Sequence, residues 1–97
     1  MKISNMELAA AILVHASTGR PVIISKGFNG DIAVQCNGAH FIQNVCDPVE
    51  QEIVGQTLDE LVAAGLFSKG EWQGCNRRLY LTEYGCRVMD TMAATPA

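Results

Sequence analysis

The stretch VQCNGAHFIQN, residues 34–44, can be read in two ways, and the architecture turns on which is taken. Asn37-Gly38 separates two alternating runs, DIAVQC at 31–36 and AHFIQNV at 39–45. Asn-Gly between such runs is a strong hairpin signal, because a type I′ turn needs positive φ at both central positions. The alternation predicts a hairpin of 31–36 with 39–45. PVIIS at 21–25, followed by turn chemistry in GFNG at 27–30, is a candidate third strand. His40 would then point away from Phe41, as an exposed strand histidine. In the other reading GAHFIQNV, 38–45, is a helix.

The flanks of this stretch read as helices. Upstream, Ser4 and Glu7 form a capping box, in which the hydroxyl takes the N3 amide and the carboxylate reaches back. Met6, Ala10 and Leu13 recur on one face beside Ala9, Ile12 and Ala16, which is helical spacing. Thr18-Gly19 and Pro21 stop that helix near residue 17, with His15 close to its end. Downstream, Asp47-Pro48-Val49-Glu50 places an Asp cap, a Pro at the first helical position and a Glu at N3. Val54, Leu58, Leu61 and Val62 form a core stripe with Ile53 at its edge, and Gly65 is the expected glycine just past the helix end. Leu66-Phe67 leads out, SKGEWQGCN is a polar, glycine-marked excursion, and RRLYLT returns as a strand. A last helix over 83–93 is expected to bury Tyr84, Val88 and Met92, leaving ATPA, 94–97, as a flexible tail.

Composition bounds the rest. Ninety-seven residues, 48% hydrophobic and 18% charged, make one domain with a core and not a disordered segment. The apolar run AAAILV at 9–14 is far short of the roughly 20 residues of a membrane span. Glu7 interrupts any signal-like segment, so a cytoplasmic protein with no membrane contact is expected. Cys36, Cys46, Cys75 and Cys86 contain no C-x-x-C pair, which argues for buried free thiols over a metal site. There is no nucleophile elbow, phosphate-binding loop or His-x-x-x-His, so no catalytic residue, cofactor or metal is expected. The net charge of −3 is unevenly spread. Residues 47–66 hold Asp47, Glu50, Glu52, Asp59 and Glu60 without a Lys or Arg, whereas 67–80 hold Lys69, Arg77 and Arg78 against Glu71.

The order long helix, Gly-Leu-Phe exit, hairpin, strand and closing helix resembles a winged helix-turn-helix. In particular it resembles small bacterial regulators of the MarR and PadR type. A pattern like L-x-x-L-x-x-x-G-L is carried by Leu58, Leu61, Gly65 and Leu66. A wing strand like R-x-Y-x-L-T-x-x-G is carried by Arg78, Tyr80, Leu81 (shifted one place), Thr82 and Gly85. The match covers about residues 48–92. These are scaffold residues: the leucines close the helix on the sheet, Gly65 turns the chain and Thr82 caps the next helix. The resemblance departs at 34–44, where the family has a helix and the alternation predicts a hairpin. The expected class is α+β, winged-helix-like: helix, two or three antiparallel strands, helix, wing hairpin, helix, as one domain over 1–93.

The resemblance implies a transcription regulator of a small bacterial or phage protein kind. It would dimerise through the 83–93 helix and contact duplex DNA with the 48–64 helix and the wing. The helix residues expected to face solvent are Gln51, Glu52, Gly55, Gln56, Asp59 and Ala63. Gln51 and Gln56 can read adenine edges, and Lys69, Arg77 and Arg78 can reach phosphates, aided by Lys26 or Arg20. The helix itself offers carboxylates where DNA wants cations, and the arginines can equally be solvated or paired with those acids. The alternative is therefore an acidic protein-interaction module of phage or mobile-element type, an inhibitor or adaptor of a host nucleic-acid-handling complex. Glu52, Asp59, Glu60, Phe67 and Trp72 would be its contact residues.

Overall fold

The computed structural model of the chain describes residues 3–94. The elements are α1 (Met6–Ala16), β1 (Val22–Lys26), β2 (Ile32–Cys36), β3 (Ala39–His40), α2 (Pro48–Ala63), β4 (Phe67–Lys69), β5 (Asn76–Leu81) and α3 (Glu83–Ala94). All the strands pair antiparallel in one sheet of order β3-β2-β1-β5-β4. The class is α+β. The third candidate strand is real and central, because β1 pairs with both β2 and β5.

Residues 34–44 take the hairpin form. Asn37 and Gly38 have φ of 51° and 82°, the left-handed pair that a type I′ turn demands. The second arm is much shorter than the alternation predicts, however. Only Cys36↔Ala39 and Gln35↔His40 pair, and the strand does not run on to residue 45. After Phe41 N–H donates to Val34 O at 2.9 Å, the chain leaves the sheet and Ile42 turns into the core. The Glu50 carboxylate then accepts the backbone N–H groups of Gln43 and Asn44, satisfying amides that a ladder would otherwise hold. His40 is exposed and Phe41 half-buried, with the Phe41 ring edge-on to His15 at 5.7 Å.

The second helix starts as expected. Asp47 Oδ1 accepts from Val49 N at 3.0 Å and Glu50 N at 3.4 Å, with Pro48 in the first turn. It ends in a Schellman motif: Gly65 N–H donates to Val62 O and Leu66 N–H to Leu61 O, both at 3.0 Å, with Gly65 at φ 80°. The first helix departs from expectation, since Asn5 and not Ser4 is its cap, accepting from Leu8 N at 3.0 Å. Ser4 is drawn away by α2: its N–H and hydroxyl donate to the two Glu60 carboxylate oxygens at 3.1 and 2.8 Å. The helix consequently begins one residue later, and Met6 is 64% exposed where the spacing placed it on the buried face.

The core lies between one sheet face and the two helices α1 and α2. Ile12, Leu13 and Ala16 meet Val54, Leu58 and Leu61 over Val22, Val34, Cys36 and Leu79. Thr57, the buried polar residue of this layer, donates its hydroxyl to Ile53 O at 2.8 Å and so leaves no donor unmet. The opposite sheet face, by alternation, carries the row His40, Gln35, Ile23 and Arg78 across four strands.

Beyond β5, Thr82 joins three segments. Its N–H donates to Leu66 O at 3.0 Å and its hydroxyl to Gly65 O at 2.6 Å, while that oxygen accepts from Gly85 N at 2.9 Å. Gly85 is buried because α3 crosses the β4 entry there. A Cβ at this position would lie 2.4 Å from Leu66 O and 2.8 Å from Leu81 Cδ1. Val88 and Met89 pack on the core, but Tyr84 is 45% exposed, contrary to the expected buried face. The turn of α3 that brings Gly85 inward rotates its neighbour outward. The expected burial of Met92 and the tail from 95 onward lie outside what is described, and α3 itself reaches Ala94.

Of the four thiols only Cys36 is buried, so the expectation of buried thiols holds for one in four. Its Sγ donates to Arg20 O at 3.5 Å, and burial pushes its pKa up. Cys46, Cys75 and Cys86 fall on loops or on the outer side of α3 and are exposed.

Candidate functional site

The side chains expected to read DNA do not share one surface. Gln51 is half-buried and committed: its amide donates to Asp31 Oδ1 at 3.2 Å and to the Val45 carbonyl. It ties α2 to the β2 entry and is not a free reader. Gln56 is exposed on α2, as are Glu52 and Asp59. Lys69, on β4, makes the one ion pair found among the described residues, 3.9 Å to Asp59 with both side chains well exposed. Such a pair contributes little stability, but it sets an acid beside the nearest cation. Glu60 is occupied by Ser4. Phe67 is only 2% exposed and pairs with Leu81, so it is a core residue and not part of a contact surface. The exit from α2 enters the sheet with Phe67 facing the helices.

Arg77 and Arg78 do not pair with the acids of α2. Arg77 is half-buried, donates from Nε to Gly70 O at 3.0 Å, and lays its guanidinium 5.1 Å from the centre of the Trp72 ring. Lys26 Nζ lies 6.0 Å from the same ring. Arg78 is exposed and bonds Gln73 at 3.0 Å. Trp72 itself remains 42% exposed. Lys26, Trp72 and Arg77 thus gather at the open ends of β1 and β5, with Arg78 beside them on the opposite sheet face.

A further concavity lies between α1 and the first half of α2. It is an open groove of about 540 Å³ lined by Leu8, Ala11, Phe41, Val49, Ile53 and Val54, with Asn5, Glu7, Asp47 and Glu50 among its walls. Val49 and Ile53, four residues apart on α2, are 62% and 44% exposed. No Lys or Arg occurs between residues 27 and 68, the segment that supplies every α2 and Phe41 contribution to this groove. The groove is therefore apolar at its floor and anionic at its rim.

Sequence reading missed this groove. The available signal was the pair Val49 and Ile53, which falls outside the stripe of Val54, Leu58 and Leu61 and so gives α2 a second apolar edge. Leu8 and Ala11 join it only through the packing of α1 on α2.

Among the described residues, no three His, Cys, Asp or Glu side chains converge as metal ligands, and no helix is long and apolar enough to cross a membrane. No protein family, curated protein or solved structure matches this chain.

Proposed function

We propose that the protein is a non-catalytic interaction module that seats a basic segment of a partner protein in the groove between α1 and α2. The observation that carries this reading is the exposure of Val49 and Ile53 beside Glu7, Asp47 and Glu50, with no Lys or Arg among the described residues lining the groove. Exposed apolar side chains rimmed by charge mark contact surfaces. An amphipathic helix with two apolar anchors and flanking Lys or Arg has the complementary shape and sign. The acidic stretch 47–66 then has a role, since it attracts such a segment and repels nucleic acid from that face.

The test is fluorescence anisotropy of a labelled Lys–Leu amphipathic helical peptide against the wild type and Ile53→Asp. Binding that weakens with salt and is lost in Ile53→Asp supports the groove. Equal binding to both proteins contradicts it.

A second reading, a duplex-DNA regulator, draws on the order of α2, β4, β5 and α3 and on the basic side chains of the wing. In it the three strands β1, β5 and β4 serve as a winged-helix sheet, with the β2–β3 hairpin standing where a helix would precede α2. Lys26, Lys69, Arg77 and Arg78 would carry the contact, Gln56 would be the remaining reader on α2, and α3 would form a homodimer. Steeply salt-dependent binding of mixed-sequence duplex DNA favours this reading.

A further inference from the structure

We infer that the open ends of β1 and β5 form a site for single-stranded nucleic acid, built on Phe28 and Trp72. Phe28 stands fully exposed on the turn after β1, which Gly27 N–H to Asp31 O (2.8 Å) and Gly30 N–H to Gly27 O (3.1 Å) hold in shape. A rigid turn that displays a phenyl ring to water gains nothing for the fold, because the ring buries no area. Lys26 N–H donates to Cys75 O at 2.8 Å and fastens this turn to the wing tip. Between the two loops lies a cleft of about 210 Å³ lined by Lys26, Gly27, Phe28, Gly74 and Cys75.

Charge and aromaticity coincide here. Lys26 and Arg77 both lie over the Trp72 ring, Arg78 stands exposed on the next residue of β5, and the sole acid in the intervening wing loop is Glu71. The contacts to Gly70 O and Gln73 hold the two guanidinium groups in place. Two exposed rings with a few fixed cations match the way single strands are held, by base stacking along a basic track. A duplex keeps its bases stacked inside and rewards a broader row of cations than this site offers. The site is independent of the α1–α2 groove, which lies on other residues.

The experiment titrates the whole protein with a labelled oligothymidylate of about 15 nucleotides and with a duplex of equal length, from low to physiological salt. Trp72 is the single tryptophan of the chain, so its fluorescence reports the site directly. The expected result is salt-dependent binding of the single strand with Trp72 quenching and weaker binding of the duplex. Phe28→Ala should keep the wild-type melting temperature, since the ring packs on nothing, and lose about tenfold in affinity. Ile53→Asp should bind the strand as the wild type does. Absence of binding at low salt, duplex binding as tight as the single strand, or an unaffected Phe28→Ala protein would each overturn the inference.

Discussion

Glu60 holds Ser4 by two hydrogen bonds, accepting from its N–H at 3.1 Å and from its hydroxyl at 2.8 Å, and so fastens the entry of α1 to the last turn of α2. This link spans 56 residues of sequence. It fixes how α1 lies against α2, the two helices that wall the acidic groove. Glu60→Ala is expected to destabilise the domain by about 1 kcal/mol, and Asn5→Ala by about 1 kcal/mol through the lost cap. Ser4→Ala should cost little more once Glu60 is gone, because the two share one interaction. Urea unfolding of the single and double variants measures both; additive Ser4 and Glu60 losses would show that the contact is not formed.

The crossing of α3 over the β4 entry makes a sharper demand. Gly85→Ala must displace either the Leu66 carbonyl or the Leu81 side chain, since a Cβ would lie 2.4 and 2.8 Å from them. A loss of about 1–3 kcal/mol is expected from overpacking. Leu61→Ala, fully buried at the centre of the α2 face, is expected to lose about 2–5 kcal/mol. Thermal melts followed by circular dichroism decide both, and a wild-type transition for Leu61→Ala would contradict the placement of α2.

The thiols give a chemical test of the packing. Cys46, Cys75 and Cys86 should react readily with a thiol reagent in the native protein, and Cys36 only on unfolding. Burial holds the Cys36 pKa above its ordinary value, which lowers its thiolate fraction and slows its labelling further. Mass spectrometry of partly labelled protein identifies which sites carry the label. Native-state labelling of Cys36 at the rate of the others would contradict its place between β2 and the loop at Arg20.

Local signals carried much of this fold. Asp47-Pro48 declared the start of α2, Asn37-Gly38 the β2–β3 turn, and Gly65-Leu66 the helix exit, because each motif satisfies its own backbone within a few residues. What failed was settled by distant partners. Ser4 has the right chemistry to cap α1, but a carboxylate 56 positions away holds it. Residues 41–45 alternate like a strand, yet Glu50 and the core burial of Ile42 claim them first. Phe67 looked like a wing aromatic because nothing local says which sheet face the exit from α2 will present. The groove was the least legible feature. Leu8 and Ala11 are unremarkable on α1 until α2 brings Val49 and Ile53 beside them.

The central claim, that the α1–α2 groove is the docking surface for a basic partner segment, is tested most directly by residue-resolved NMR. Titrating the ¹⁵N-labelled protein with the Lys–Leu amphipathic helical peptide should shift amides at Leu8, Ala11, Val49 and Ile53 together, saturably and less at high salt. Shifts confined to Phe28, Trp72 and Arg78, or no saturable shifts at all, would contradict it.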